Sequence, residues 1–231
     1  MMNMLDKNDL ISPLIYALIT MVFFLPVVLN PSGVFLGHLG GDVGIITFVG
    51  NEYVDRAGDV MTYNLNAPFG GSLTNLGTYQ PVFVFVLPFF SKIFGVLATY
   101  NYYLIFNIWF ASATTYLFAR MFLRSKHAAF ISGLIFGFSP YMIGRAIAFH
   151  VNLVSTGWMI IFFASLFNME KKKTVLSGIM CGMALFFVGF TSYYNLYFSC
   201  IFTVIFYIWH WKKGTLRWFK WIQEETKILI R

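Results

Sequence analysis

Residues 118–153 read FARMFLRSKHAAFISGLIFGFSPYMIGRAIAFHVNL, and they contain a mostly apolar run at 128–147. A helix needs about 20 such residues to cross the hydrocarbon of a bilayer, because each residue advances the helix by about 1.5 Å. Basic residues precede the run, whereas Pro140, Arg145 and His150 lie near its far end. The stretch therefore predicts a membrane-spanning helix that is disturbed near Pro140 and has chemically different ends.

The composition of the whole chain agrees with a membrane protein. Of the 231 residues, 58% are hydrophobic and 11% are charged, whereas about 25% of the residues in a typical soluble domain are charged. A water-soluble globule is therefore not expected. The net charge of +7 does not indicate a nucleic-acid partner, because the basic residues lie between apolar runs. Two isolated cysteines indicate neither a disulfide framework nor a zinc site.

Five further segments have the length of a membrane-spanning helix. They are residues 10–29, 100–122, 151–169, 174–191 and 192–211. A shorter run at 80–97 contains Pro88 and Lys92, and its crossing is doubtful. The predicted fold is an all-α integral membrane protein, a bundle of about six transmembrane helices with a juxtamembrane region on its outer face.

Charge at the ends of these segments predicts their direction. Ten of the sixteen Lys and Arg residues form three clusters, separated from one another by two crossings each. Short basic loops are retained in the cytoplasm, so all three clusters are assigned to that face. The loop at 30–79 is acidic and is assigned outside. Both assignments hold if 80–97 lies in the outer interface and the N-terminus is cytoplasmic; seven spans with an outer N-terminus is the alternative.

These assignments divide the chain into two parts. Residues 1–211 form a transmembrane module with an outer loop at 30–99. Residues 212–231 interleave aromatic and basic side chains, which indicates either an amphipathic tail on the cytoplasmic leaflet or the lead-in to a further span. Two pairs of small residues four apart predict close helix contacts; they are Gly133 with Gly137 and Gly178 with Gly182.

Acidic residues of the outer loop are the first candidates for chemistry. Asp42 follows Gly40 and Gly41 beyond the first segment, where a shielded carboxylate could act as a general base; a helix N-cap is the alternative. Glu52 and Asp55 share a helical face, so they could bind a divalent cation or position an acceptor. A solvated acidic face explains their spacing equally well. Metal dependence therefore stays open.

The other outer turns contribute basic and polar groups. Arg145 lies near the end of an apolar segment, and an intramembrane arginine usually has an anionic partner or extends to the interface. Its guanidinium could bind a phosphate, and His150 and Asn152, in the next turn, could add hydrogen bonds. Tyr194 lies in a third turn, where an aromatic membrane anchor is the alternative. Together these residues predict an outward-facing binding site.

The order of these features resembles the GT-C superfamily of membrane glycosyltransferases, which use polyprenyl-phosphate-linked sugars. The resemblance covers residues 10–211 and is strongest to poorly characterised bacterial members. It rests on GGD at 40–42, MTYNLNAPFGGSLTNLGTYQP at 61–81, FSPY at 138–141, HVNL at 150–153 and SYYNLYF at 192–198.

The resemblance implies an inverting transfer of a sugar to an acceptor hydroxyl on the outer face of a cell-envelope membrane. It places Asp42 as the base and His150 at the lipid-linked phosphate, and Arg145 is added there only by its charge and location. Some members need a divalent metal. Superfamily enzymes are generally longer, with further spans. The alternative is therefore a non-catalytic membrane subunit or lipid-binding scaffold of a larger complex, with a partner subunit or a missing C-terminal module supplying the rest.

Overall fold

The computed structural model describes residues 7–36, 61–62, 69, 71–72, 81–82, 86–148 and 150–212, and this part is almost entirely helical. A 3-10 helix at Lys7–Leu10 is followed by α1 (Ile11–Phe23), α2 (Leu25–Leu29), α3 (Leu87–Phe94), α4 (Val96–Arg120), α5 (Lys126–Gly137), α6 (Pro140–Ile147), α7 (Gly157–Lys172), α8 (Val175–Thr191) and α9 (Tyr193–Lys212). Two-residue strands, β1 (Met61–Thr62) and β2 (Gly71–Ser72), pair antiparallel. The predicted all-α bundle is confirmed for the described residues.

The helix predicted at 128–147 is broken where Pro140 disturbs it. Ser139 is extended, with φ −60° and ψ 151°, and its hydroxyl accepts a hydrogen bond from the backbone N–H of Met142 at 3.3 Å. Pro140 then occupies the start of α6, where its missing N–H costs nothing. The prediction at Pro140 is confirmed, and the break separates α5 from the segment that carries Arg145.

The segments on either side of the central helix differ from the predicted boundaries. Helix α7 begins at Gly157 and not at residue 151, and residues 150–156 precede it as a turn in which Val151, Val154 and Ser155 are buried. Helix α3 has eight residues and therefore covers about 12 Å, far less than the hydrocarbon thickness of about 30 Å. Gly95, with φ 82°, separates α3 from α4, and this left-handed conformation suits glycine.

Helix α4 lies at the centre of the bundle, in contact with α1, α3, α5, α6 and α7. Its closest neighbour is α5. A Cβ atom at Gly133 would lie 2.7 Å from the Ser112 carbonyl oxygen, and one at Gly137 would lie 3.0 Å from the Ile108 carbonyl oxygen. The first pair of small residues therefore makes the predicted close contact.

The second predicted contact, at Gly178 and Gly182, is wrong for the described part of the chain. A Cβ atom at either glycine would meet no described atom within 4 Å. Helix α8 packs through a different face, whose buried residues are Cys181, Ala184 and Val188. The spacing of Gly178 and Gly182 marks a face of small residues on α8, but α8 packs through larger side chains on another face.

Helices α1 and α4 run antiparallel and are joined near both of their ends. At the first end, the Asp9 carboxylate accepts hydrogen bonds from Arg120 Nε at 2.9 Å and from the Tyr116 hydroxyl at 2.6 Å. At the other end, Asn101 Nδ2 donates to the carbonyl oxygens of Pro31 at 2.8 Å and Val34 at 2.9 Å. We call these the Arg120 end and the Asn101 end of the bundle.

Arg120 is one of the basic residues that the sequence analysis assigns to the cytoplasmic clusters, yet its side chain is buried. It is the last residue of α4 and only 6% exposed. A buried guanidinium needs a counter-charge, and Asp9, which is 1% exposed, supplies it.

The polar side chains in the middle of α4 bond to the backbone of α4 itself. Asn107 Nδ2 donates to the Tyr103 carbonyl oxygen at 2.8 Å, four residues earlier. The hydroxyl groups of Ser112, Thr114 and Thr115 donate in the same way, at 2.7–3.0 Å. These polar side chains in the middle of α4 can therefore lie in apolar surroundings, because their hydrogen bonds are made within the helix.

Large apolar side chains cover much of the outer surface of the bundle. Leu14, Ile135 and Leu176 are 66–70% exposed, and extensive exposed apolar surface marks a membrane or protein interface. Among the described residues, one helical stretch, Lys126–Ile147, is long and apolar enough to cross a membrane by length and composition. The bundle is thus consistent with membrane association.

Candidate functional site

Arg145 and His150 form a hydrogen-bonded pair at the end of α6. The distance from Arg145 Nη1 to His150 Nδ1 is 2.9 Å, and the backbone N–H of His150 donates to the Arg145 carbonyl oxygen at 2.9 Å. The guanidinium carbon lies 5.4 Å from the centre of the Tyr141 ring, one turn earlier in α6. The two residues that the sequence predicts for one site are therefore in direct contact, while their role as a site stays a prediction.

The chemistry of arginine fixes the hydrogen-bonding pattern of His150. A guanidinium carries donors and no acceptor, so Nδ1 of His150 must accept and cannot carry a proton in this contact. In the neutral ring the hydrogen is then on Nε2, which is a donor. The pair therefore combines the N–H groups of Arg145 with an imidazole N–H, and donors of this kind are chemically able to bind an oxyanion.

The turn that carries His150 and Asn152 is fastened to two other elements through Ser155. The Ser155 hydroxyl and the Tyr103 hydroxyl of α4 are 2.8 Å apart. The Ser155 carbonyl oxygen accepts a hydrogen bond from Asn195 Nδ2, in the first turn of α9, at 3.1 Å. These contacts bring the second and third predicted outer turns together at the Asn101 end.

The core at the Asn101 end also reaches the first outer loop. One buried cluster contains Leu36, Tyr100, Ala146 and Val151. Ala146, which follows Arg145 in the sequence, therefore packs in the same core as Leu36. Leu36 is the last described residue before the segment that contains Asp42. Leu36 therefore lies at the same end of the bundle as the Arg145–His150 pair.

The predicted acidic residues lie outside the described part. This applies to Asp42, the candidate base, and to Glu52 and Asp55, the candidate cation ligands. The described residues contain no group of three or more His, Cys, Asp or Glu side chains that could hold a metal ion.

The remaining two predicted site residues are accessible. Asn152 is half-buried in the turn after His150, and Tyr194 is 54% exposed in the first turn of α9. Neither side chain forms a hydrogen bond within the described ranges. They lie at the same end as the Arg145–His150 pair and are accessible there to a ligand.

Two important polar residues were missed from the sequence. Asp9 pairs with Arg120, and Asn101 is fully buried and donates to two loop carbonyl oxygens, but the sequence analysis assigns a role to neither residue. The available indication was their setting, because a polar side chain beside or within an apolar segment usually has a specific partner.

Comparisons of this chain with protein-family models, with curated proteins and with solved structures find no match.

Proposed function

We propose that this chain is a membrane glycosyltransferase, or the N-terminal module of one. It would transfer a sugar from a polyprenyl-phosphate donor to an acceptor hydroxyl on the outer face of the membrane. The observation that carries the proposal is the 2.9 Å contact between Arg145 and His150 at the end of the bundle where the chain passes Leu36 toward Asp42.

The placement of charge supports a multi-pass arrangement in the cell membrane. Met121, Lys171 and Lys172 line one groove, so the basic residues after α4 and those at the end of α7 lie at the same end. Lysine and arginine are retained in the cytoplasm, which makes the Arg120 end cytoplasmic. Asp9 lies at this end, so the N-terminus is also cytoplasmic, and the Asn101 end faces outward.

The exposed apolar surface supports the same arrangement. Helices α1, α8 and α9 are short apolar helices, with stretches at Ile11–Phe23, Val175–Thr191 and Tyr193–Trp209. Side chains such as Leu14 and Val204 are more than half exposed. In water this surface would cost about 25 cal/mol for each Å², whereas lipid chains would cover it without that cost. About six spans follow from this arrangement.

The Arg145–His150 pair fits the phosphate of a lipid-linked donor. The planar guanidinium can form two parallel hydrogen bonds to phosphate oxygens while it keeps its contact with His150. The Tyr141 ring, whose centre lies 5.4 Å from the guanidinium carbon, adds a cation–π contact. Asn152 and Tyr194, at the same end, would bind further polar groups of the donor or acceptor.

The proposed reaction assigns the proton to Asp42. The acceptor oxygen forms a bond to the anomeric carbon of the sugar, and its proton passes to the Asp42 carboxylate. The bond from the anomeric carbon to the phosphate oxygen breaks, and its electron pair stays on the polyprenyl phosphate. Arg145 would stabilise this negative charge as it develops. Glu52 and Asp55 would orient the acceptor or bind a cation.

The test is sugar transfer by the purified chain in proteoliposomes supplied with a panel of polyprenyl-phosphate sugars. We expect Asp42→Asn to lower the rate by about 10²–10⁴-fold, the usual contribution of a general base. Asp59→Asn, in the same loop, is the matched control and should retain activity.

Two outcomes would contradict the proposal. An active Asp42→Asn variant would reject the base assignment, and the absence of transfer by the wild-type chain from any donor would reject the activity. Transfer that requires a longer co-purifying partner would favour the alternative, a non-catalytic subunit.

A further inference from the structure

A groove of about 700 Å³ lies on the opposite side of the bundle centre from the Arg145–His150 pair. Helix α4 contributes residues from Trp109 to Met121 along its length, α7 contributes residues from Ile160 to Lys172, and α1 contributes Pro13. Sites for small molecules usually have volumes of about 300–1,000 Å³. No residue of this groove belongs to the site proposed for sugar transfer.

The length of the groove matches one leaflet of a bilayer. The distance along α4 from Trp109 to Met121 is about 18 Å at 1.5 Å per residue, and the hydrocarbon of one leaflet is about 15 Å thick. The groove ends at Lys171 and Lys172, which lie at the Arg120 end. It therefore extends from the middle of the bundle to the end assigned to the cytoplasm.

The side chains that α7 contributes change from apolar to cationic along the groove. In order they are Ile160, Ile161, Ala164, Ser165, Asn168, Lys171 and Lys172. Within the described ranges, the last four side chains have no hydrogen bond or ion pair. The neighbouring acid, Glu170, lies 3.8 Å from Lys173 and so neutralises a lysine outside the groove. The open end is thus cationic, with polar groups just below it.

We propose that this groove binds a glycerophospholipid with an anionic headgroup from the cytoplasmic leaflet. One acyl chain would lie on the apolar floor at Trp109 and Phe110, and the phosphate would lie between Lys171 and Lys172. Ser165 and Asn168 would bind the ester oxygens, which lie between the chains and the phosphate. Charge complementarity selects this ligand, because the two lysines favour an anionic headgroup and the floor requires an apolar chain. The inference rests on the membrane placement and not on sugar transfer.

The test measures the binding of phosphatidylglycerol and of phosphatidylcholine with identical acyl chains to the delipidated full chain in detergent. Native mass spectrometry gives the number of lipids retained and the Kd. We expect one tightly bound phosphatidylglycerol and weaker binding of phosphatidylcholine. The variant Lys171→Gln with Lys172→Gln should raise the Kd for phosphatidylglycerol by about 30-fold, as expected for the loss of two lysines beside an anionic headgroup.

Two matched controls separate this site from general attraction to the membrane. Arg124→Gln with Lys173→Gln removes the same charge and should leave the Kd within about threefold, since neither side chain lines the groove. Ala164→Phe fills the groove without a change of charge and should abolish tight binding, whereas Met183→Phe, on the exposed face of α8, should not.

Three results would overturn the proposal. The first is equal affinity for the two lipids, and the second is wild-type binding by Ala164→Phe. The third is a wild-type dimer that Ala164→Phe converts to a monomer, because a second copy of the chain would then occupy the groove.

Discussion

Removal of the Asp9 carboxylate should destabilise the whole bundle. In Asp9→Ala, the guanidinium of Arg120 stays buried without its counter-charge, and the Tyr116 hydroxyl loses its acceptor. Breaking a buried ion pair from one side costs about 3–5 kcal/mol. Arg120 Nη1 keeps its hydrogen bonds to the carbonyl oxygens of Leu123 at 2.8 Å and Arg124 at 3.1 Å, so we expect the lower value, about 3 kcal/mol.

The loss can be measured as the temperature at which the detergent-solubilised chain leaves the monodisperse peak in size-exclusion chromatography. For a chain of this size, about 3 kcal/mol corresponds to a decrease of about 6–12 °C. Asp9→Asn keeps an acceptor for Tyr116 and should lose less stability.

Glu170→Ala is the matched control, because it removes an acid from a more accessible pair at the same end. Its partner, Lys173, is 3.8 Å away, and the two side chains are 16% and 25% exposed. Such pairs contribute about 0–1 kcal/mol. Equal shifts in Asp9→Ala and Glu170→Ala would refute the conclusion that Asp9 joins α1 to α4 through a buried ion pair.

Two further predictions concern the glycines and the Arg145–His150 pair. Gly133→Ala should destabilise the bundle by about 1–3 kcal/mol, because its Cβ would crowd the Ser112 carbonyl oxygen. Gly178→Ala should not, because no described atom lies within 4 Å of a Cβ at that position. Equal melting temperatures for the two variants would contradict this packing. Arg145→Gln should raise the Kd for a short-chain polyprenyl phosphate by about 10- to 100-fold, because charge-assisted hydrogen bonds are lost, and Arg145→Lys should have an intermediate Kd. Native mass spectrometry measures the Kd. Unchanged binding by Arg145→Gln would reject a phosphate site at the Arg145–His150 pair.

The sequence predicts best those features that depend on neighbouring residues. The helical segments follow from the length of the apolar runs, and the break before α6 follows from Pro140, whose ring and missing N–H act locally. The same reasoning fails where hydrophobic residues are buried in a turn. The length of the apolar run predicts a span from residue 151, but Val151 and Val154 are buried in the turn before α7.

Partners that are distant in the sequence could not be predicted. Asp9 and Arg120 are 111 positions apart, and local hydropathy does not show which carboxylate a buried guanidinium meets. The same limit explains the glycine pairs: Gly133 and Gly178 occur in equivalent patterns, but only the first faces a helix among the described residues. In the candidate site, by contrast, Arg145 and His150 are only five residues apart, so the contact between them forms within one local turn.

The hydrogen bonds of α4 have a consequence for how the protein is assembled during synthesis. The central polar side chains of α4 bond to its own backbone as soon as the helix forms, so these groups need no partner from another element. The side chains of Asn101 and Arg120, near the two ends of α4, bond to residues within 9–34, which are synthesised before α4. Tyr103 instead finds the Ser155 hydroxyl, which emerges later from the ribosome. Helices α1 and α4 can therefore pack together before the Arg145–His150 pair has been synthesised. The later helices then pack against helices that are already in contact.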